Sequence, residues 1–99
     1  MTEAERERLA MLAEEAGEIV QIIGKILRHG YESYHPDDPE KITNREHLIR
    51  ELRDLDGVVY GMCLNGDLKP EDFSIVHSVA TWNRKLKWSH HQGDANASN

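Results

Sequence analysis

The sequence predicts an all-α fold, a small bundle of about three main helices that is completed by oligomerisation. Two capping-box patterns, Thr2-x-x-Glu5 and Thr43-x-x-Glu46, each precede a long segment with helical spacing of apolar residues. No segment shows the alternating apolar and polar residues of a half-buried strand. These two observations favour helices throughout and define where the two long ones begin.

The first helix is predicted to run from its capping box to about Arg28, with Gly30 at its end. Its apolar residues could hardly be covered by two shorter helices of the same chain, because they occupy about half of the helical wheel. This wide face favours an oligomer in which helices of different subunits complete the bundle. Its members are Leu9, Leu12, Ala13, Ala16, Ile19, Val20, Ile23, Ile26 and Leu27.

Residues 31–43 contain two prolines and no helical periodicity, so they are predicted to form a loop. The second helix then runs to about Leu64. Gly57 and Gly61 lie on the side of this helix away from its main apolar arc, and a glycine in a helix interior costs about 0.5–1 kcal/mol. The two glycines therefore indicate the close approach of a second helix or of a ligand.

A turn and a third helix are predicted after the second helix. The Asn65-Gly66 pair is typical of turns, and we place it between helices because no alternating strands flank it. Pro70 suits the first turn of a third helix that runs to about Lys87.

Length and composition exclude several classes of protein. The 99 residues allow one domain, placed at residues 1–89, and the small polar residues 90–99 are expected to form a flexible tail. A formal net charge of -6 argues against nucleic acid or anionic membrane as a partner. The sequence has no run of about 18 apolar residues for a membrane span and no signal peptide at its start. Together with the single cysteine, Cys63, this predicts a cytoplasmic protein.

Acidic residues on the two long helices form the candidate functional site. Glu51 projects inside the apolar arc of the second helix, and Asp54 lies at its edge. On the first helix Glu15 and Glu18 border the apolar face, whereas Glu14 points further out. An unpaired buried carboxylate is costly, and a bound cation would remove that cost.

Two alternatives require no cation. Glu14, Glu15 and Glu18 could form a solvated helix face, since glutamate is a good helix former. Glu51 could make a salt bridge to an arginine of another helix.

The spacing within each acidic pair predicts a metal site. Residues three apart on a helix point to neighbouring positions on one face, so two antiparallel helices could bring four carboxylates around a small volume. Such hard oxygen ligands suit Mg²⁺ or Mn²⁺ rather than zinc. These ions can bridge phosphate oxygens and activate a water molecule, which indicates phosphate chemistry.

The order of these acidic residues resembles a known family signature. Glu14-Glu15-x-x-Glu18 followed by Glu51-x-x-Asp54 is similar to the EExxE…ExxD pattern of the all-α nucleoside triphosphate pyrophosphohydrolases, the MazG-like superfamily. The likeness covers about residues 8–88, and segments 25–30, 31–36 and 44–45 resemble short phage-type members. The chain departs from the family in two ways: an arginine precedes the motif aspartate where a small residue is common, and the chain is shorter than many members.

The resemblance implies hydrolysis of a (d)NTP between its α and β phosphates, which yields (d)NMP and pyrophosphate. It implies that Glu15, Glu18, Glu51 and Asp54 bind the metal and that Glu14 orients water or supports the ligands. It also implies a homodimer or homotetramer with the active site beside the subunit interface. Some short phage-type relatives act on dGTP, so dGTP is the expected substrate, in nucleotide-pool control or modified-nucleotide supply.

A triphosphate also needs positive charge beyond that of the metal ions. Lys25 projects near Glu18 and is the first candidate for a phosphate contact, although a lysine near a helix end can also simply complement the helix dipole. Arg28 continues in the direction of the loop. His29 and His35 are candidates to line the loop near the site, whereas exposed surface is expected for most of the six histidines, which lack zinc-ligand spacing.

The third helix carries candidates for binding the nucleobase. Trp82 could stack on a base and Asn83 could hydrogen-bond its edge; the alternatives are a core tryptophan and a surface asparagine. Lys85 belongs to a basic cluster that is a weaker candidate for phosphate binding.

The main alternative function is a non-catalytic helical oligomerisation or interaction module whose acidic residues are structural. A di-iron carboxylate bundle is disfavoured, because its Glu-x-x-His ligand motif is absent from both motif helices.

Overall fold

The computed structural model describes residues 1–92, and in these residues the chain is all-α, as predicted. The helices are α1 (Glu3–His29), α2 (Asn44–Leu64) and α3 (Ile75–Leu86), and a 3₁₀ turn at Pro70–Phe73 precedes α3. Residues 1–92 contain no β-strand, only an isolated antiparallel bridge within the loop between α1 and α2. Most of the predicted tail, residues 93–99, lies outside the described residues.

The chain divides into two compact units. The first, Met1–Leu68, contains α1, α2 and the loop between them. The second begins at Lys69 and contains the 3₁₀ turn and α3. No helix among residues 1–92 has the length and hydropathy needed to cross a membrane.

Both ends of α1 are formed as the sequence predicts. Thr2 Oγ1 accepts a hydrogen bond from the Glu5 backbone at 3.1 Å, and Glu5 Oε1 accepts one from the Thr2 backbone at 2.8 Å, which completes the capping box. At the other end Gly30 adopts a φ of 91°, and its N–H donates to Ile26 O at 2.7 Å. A positive φ of this kind is open to glycine at little cost, so Gly30 ends the helix.

The loop between the helices is held against the start of α2. Thr43 Oγ1 accepts from the Glu46 backbone at 3.2 Å, which is the threonine half of the predicted capping box. The buried Asn44 donates through its backbone to Ser33 O at 2.8 Å and through its side chain to Gly30 O at 3.1 Å. These bonds bring the end of α1 next to the start of α2.

The opposite ends of the two helices are joined by an ion pair. Arg8, near the start of α1, donates two hydrogen bonds to the Asp67 carboxylate, which follows the turn after α2; the Nη2–Oδ1 distance is 2.9 Å. Asn44 joins the start of α2 to the end of α1, and Arg8 joins the start of α1 to the segment after α2. The two helices are therefore antiparallel. Ile22 and Met62, 6% and 4% exposed, are the buried apolar side chains of the described residues.

Much of the predicted apolar surface is not covered by residues 1–92. On α1, Val20 is 69% and Leu27 81% exposed. On α2, a Cβ placed on Gly57 or Gly61 would meet no atom within 4 Å. The close approach that the glycines predict is therefore not made by any of the residues that the structure describes.

The predicted third helix begins later than expected. Pro70–Phe73 forms a 3₁₀ turn, Ser74 is extended with φ -71° and ψ 160°, and only then does α3 begin. Ser74 occupies the position before the helix, which favours serine, but its side chain makes no capping hydrogen bond. The prediction of one continuous helix from Pro70 is thus wrong by about one turn, while the predicted end near Lys87 is confirmed.

Replacement of Asp67 by asparagine should lower the midpoint of thermal unfolding at neutral pH, because the hydrogen bonds from Arg8 lower the pKa of Asp67. A lowered pKa gives a stabilisation that is present above the unfolded-state value of about 3.9 and is lost as the pH falls through the folded-state pKa. The difference between wild type and Asp67→Asn should therefore shrink on acidification. Asp56→Asn, at an exposed position of α2, is the matched control; an equal loss in both variants would contradict a role for the ion pair.

Candidate metal centre

Three carboxylates meet between α1 and α2. Glu15 and Glu18 lie about one turn apart on α1, and Glu51 faces them from α2. One oxygen from each lies within 4.8 Å of the other two, and all three side chains are half-buried. The antiparallel packing therefore brings three of the four predicted metal ligands together.

Two oxygen atoms of this cluster have no hydrogen-bond partner. Glu15 Oε2 and Glu51 Oε2 are buried and accept no hydrogen bond. Buried acceptors without donors are unfavourable, and a carboxylate is more so than a neutral group. No lysine or arginine of residues 1–92 makes an ion pair with the cluster, so the salt bridge considered for Glu51 is not present in the described part of the chain.

The pKa values of the cluster also show that its ionised carboxylates are disfavoured. Burial raises the pKa of Glu15, and the charges of Glu18 and Asp54 raise it further. The pKa of Glu18 is raised by its contact with the Glu51 side chain, then by the charge of Glu51 and by burial. All three groups are half-buried carboxylates, which offer only oxygen atoms as metal ligands. Mg²⁺ and Mn²⁺ prefer oxygen ligands, so the residues present fit such an ion.

The remaining two predicted acidic residues lie at the edge of the cluster. Asp54 is exposed and is not one of the three residues that meet, but its charge contributes to the raised pKa values of Glu15 and Glu18. Glu14 is exposed as well, and its charge contributes to the raised pKa of Glu15. Their roles as metal ligand and supporting group stay predictions.

A cavity of about 260 Å³ adjoins the carboxylates. The predicted Lys25 lines it, together with Glu18, Gln21, Ile22, His47 and Glu51. The sequence reasoning missed Gln21 and His47 as residues of the site. The available signal was their helical spacing, since Gln21 follows Glu18 by three residues and His47 precedes Glu51 by four.

A second cavity, of about 440 Å³, shares Lys25 and His47 with the first. It lies at the end of α1, against the loop and the start of α2. The predicted residues Arg28, His29 and His35 line it, together with Ser33, Tyr34, Pro36 and Asn44.

The candidates on α3 belong to the second unit of the chain. Trp82 and Lys85 line a cavity of about 490 Å³ there, with Phe73 and His77 among the other lining residues. Trp82 is 46% exposed, so it is not a core tryptophan in the part of the chain that the structure describes. Asn83 is exposed and does not line that cavity. A role of these residues in substrate binding stays a prediction.

Comparisons of the chain with protein-family models, with curated proteins and with solved structures found no match. The resemblance to the MazG-like superfamily therefore depends on the acidic motifs and on the segments around them.

Replacement of Glu18 by glutamine should raise the thermal midpoint of the protein in a chelating buffer at neutral pH. A raised folded-state pKa means that stability is full below the unfolded glutamate value of about 4.3 and is lost as the pH rises through the folded-state pKa. Because Glu18→Gln removes this titration, its advantage over wild type should grow as the pH rises from that value.

The measurement is thermal unfolding from acid to neutral pH, with Glu40→Gln in the exposed loop as the control. A Glu18→Gln variant that is less stable than wild type at neutral pH would show that the three carboxylates do not repel one another.

Proposed function

We propose that the protein is a Mg²⁺- or Mn²⁺-dependent nucleoside triphosphate pyrophosphohydrolase. The observation that carries the proposal is the cluster of Glu15, Glu18 and Glu51, with two buried oxygens that no donor among residues 1–92 satisfies. The order of the acidic residues along the chain supports it independently, because it matches the EExxE…ExxD pattern.

Glu15, Glu18 and Glu51 would hold the ion, with Asp54 proposed as a fourth ligand from the edge of the cluster. When bound, the ion supplies positive charge for phosphate oxygens and lowers the pKa of a water molecule. Lys25 adds a fixed positive charge beside the carboxylates, in the cavity that Gln21 and His47 also line. These side chains would orient the triphosphate, with Glu14 supporting the ligands from the exposed side.

The proposed reaction is attack of water between the α and β phosphates, which releases a nucleoside monophosphate and pyrophosphate. dGTP is the proposed substrate, and the biological role is control of a nucleotide pool or supply of a modified nucleotide. The free thiol of Cys63 suits the cytoplasm, which would be that of the host if a phage encodes the protein.

The first experiment is a panel of all eight (d)NTPs with and without Mg²⁺ or Mn²⁺, with products separated by chromatography. Metal-dependent formation of NMP and pyrophosphate without an NDP intermediate is the expected result. Reaction in ¹⁸O-labelled water then identifies the phosphorus that water attacks. A panel without turnover would count against the proposal.

Glu51→Gln should reduce turnover by more than about 100-fold and abolish stabilisation by Mn²⁺, because even groups that only support metal ligands are worth 10–100-fold. Helicity measured by circular dichroism should be unchanged, since the substitution keeps the shape of the side chain. Glu40→Gln is the control for the loss of one negative charge. Retained turnover in Glu51→Gln would remove Glu51 from the metal site.

The exposed apolar faces support the alternative of a non-catalytic oligomerisation module. Glu51→Leu separates the two functions. In a module the substitution removes a half-buried carboxylate without losing any activity, so it only raises stability. In an enzyme it raises stability as well but removes metal binding and turnover.

We also propose that copies of the chain assemble into a homodimer or homotetramer through the uncovered apolar faces. Val20 and Leu27 are largely exposed on α1, and the open sides of Gly57 and Gly61 leave room for the backbone of another helix. A large exposed apolar patch is unusual for a monomer and commonly marks a protein interface.

Val20→Glu and Leu27→Glu should each dissociate the assembly, so that size-exclusion chromatography with light scattering gives a mass closer to that of one chain. A charge placed in an apolar interface must be desolvated without a partner, which is strongly unfavourable. Ala4→Glu adds the same charge at an exposed position near the start of α1 and should leave the mass unchanged. A monomeric wild-type protein would refute the assembly.

A further inference from the structure

The cavity of about 440 Å³ at the end of α1 is here named the loop pocket; it adjoins the carboxylate cluster through shared residues. Lys25 and His47 line both this pocket and the cavity beside the carboxylates. We propose that the loop pocket binds the β and γ phosphates of the substrate, and hence the pyrophosphate product. This inference rests on the proposed function and adds the direction in which the substrate lies.

The charge of the pocket favours an anionic ligand. Lys25 and Arg28 line it, and neither is among the ion pairs of residues 1–92. A nucleobase would leave two positive charges without a partner, whereas phosphate oxygens would neutralise them through charge-assisted hydrogen bonds. Phosphoryl transfer needs such fixed cations beside the metal ions.

Both cations lie beyond the carboxylates along α1. Long side chains on a helix lean toward its N-terminus, and Lys25 lies about 10 Å beyond Glu18 along the helix axis. Arg28 shows this lean directly, because its Nη1 would lie 3.5 Å from a Cβ placed on Gly24, one turn earlier. Since Lys25 and Arg28 follow Glu18 on the same helix, the phosphates are expected to extend from the carboxylates toward the end of α1.

The loop supplies a further hydrogen-bond donor. His35 Nδ1 accepts a hydrogen bond from the Asp37 backbone at 3.1 Å, so Nε2 carries the proton and can donate. His35 lines the pocket, so its Nε2 can donate a hydrogen bond to a phosphate oxygen.

A nearby acidic residue of the loop is already satisfied by the backbone. Asp38 accepts backbone hydrogen bonds from Ile42 and Glu40, each at 2.9 Å, and these bonds lower its pKa. It interacts electrostatically with His47 and His35 but does not line the pocket. Its charge therefore holds the loop in shape and leaves the pocket surface cationic.

The test is titration calorimetry of the full chain with inorganic pyrophosphate and, separately, with dGMP, both in Mg²⁺ buffer. Arg28→Gln should weaken pyrophosphate binding by about 10-fold or more, the size of effect expected from losing a hydrogen bond to a charged group. Binding of dGMP should change little. Arg6→Gln is the control: it makes the same substitution on the same helix, 22 residues and about 33 Å earlier.

Two results would overturn the loop pocket as the pyrophosphate site. One is pyrophosphate binding that Arg28→Gln leaves unchanged. The other is a larger loss for dGMP than for pyrophosphate, which would place the nucleoside in the pocket. Turnover of the wild-type protein on the nucleotide panel is scored separately. If the wild type is active but its pyrophosphate binding does not depend on Arg28, only the role of the loop pocket is refuted. If the wild type is inactive, the proposed function is refuted.

Discussion

The antiparallel contact of α1 with α2 brings Glu15 and Glu18 against Glu51, and polar bonds hold this contact at both ends. Arg8 binds Asp67 at one end, and Asn44 binds the end of α1 at the other. Few apolar side chains are buried between these points. The packing of α1 against α2 thus holds three carboxylates close together despite their repulsion. The candidate site depends on this packing.

This arrangement of carboxylates lowers the stability of the folded chain at neutral pH. The raised pKa values of Glu15 and Glu18 mean that the folded chain disfavours their ionised forms. A ligand that relieves this cost binds the folded state selectively and stabilises it. Residues that conflict with folding in the absence of ligand are therefore good markers of a site, since local rules are broken mainly where function requires it.

Much of this could be predicted from the sequence, because the relevant signals are local. The capping residues and Gly30 mark helix ends through contacts within a few residues, and the acidic pairs reveal themselves by conflict with an apolar arc. His47 and Gln21 escaped prediction because polar residues on a helix are common and only the packing of α2 on α1 gives these two a shared cavity. The interruption at Ser74 also escaped prediction, since Pro70 predicts where a helical segment begins but not whether it continues.

The uncovered apolar surface also has a colloidal consequence. With a net charge of -6, copies of the chain repel one another while their exposed apolar faces favour contact. A divalent cation held by the carboxylates would change that charge from -6 to -4 and weaken the repulsion. Cation binding and self-association would then be thermodynamically linked, each strengthening the other to the same degree.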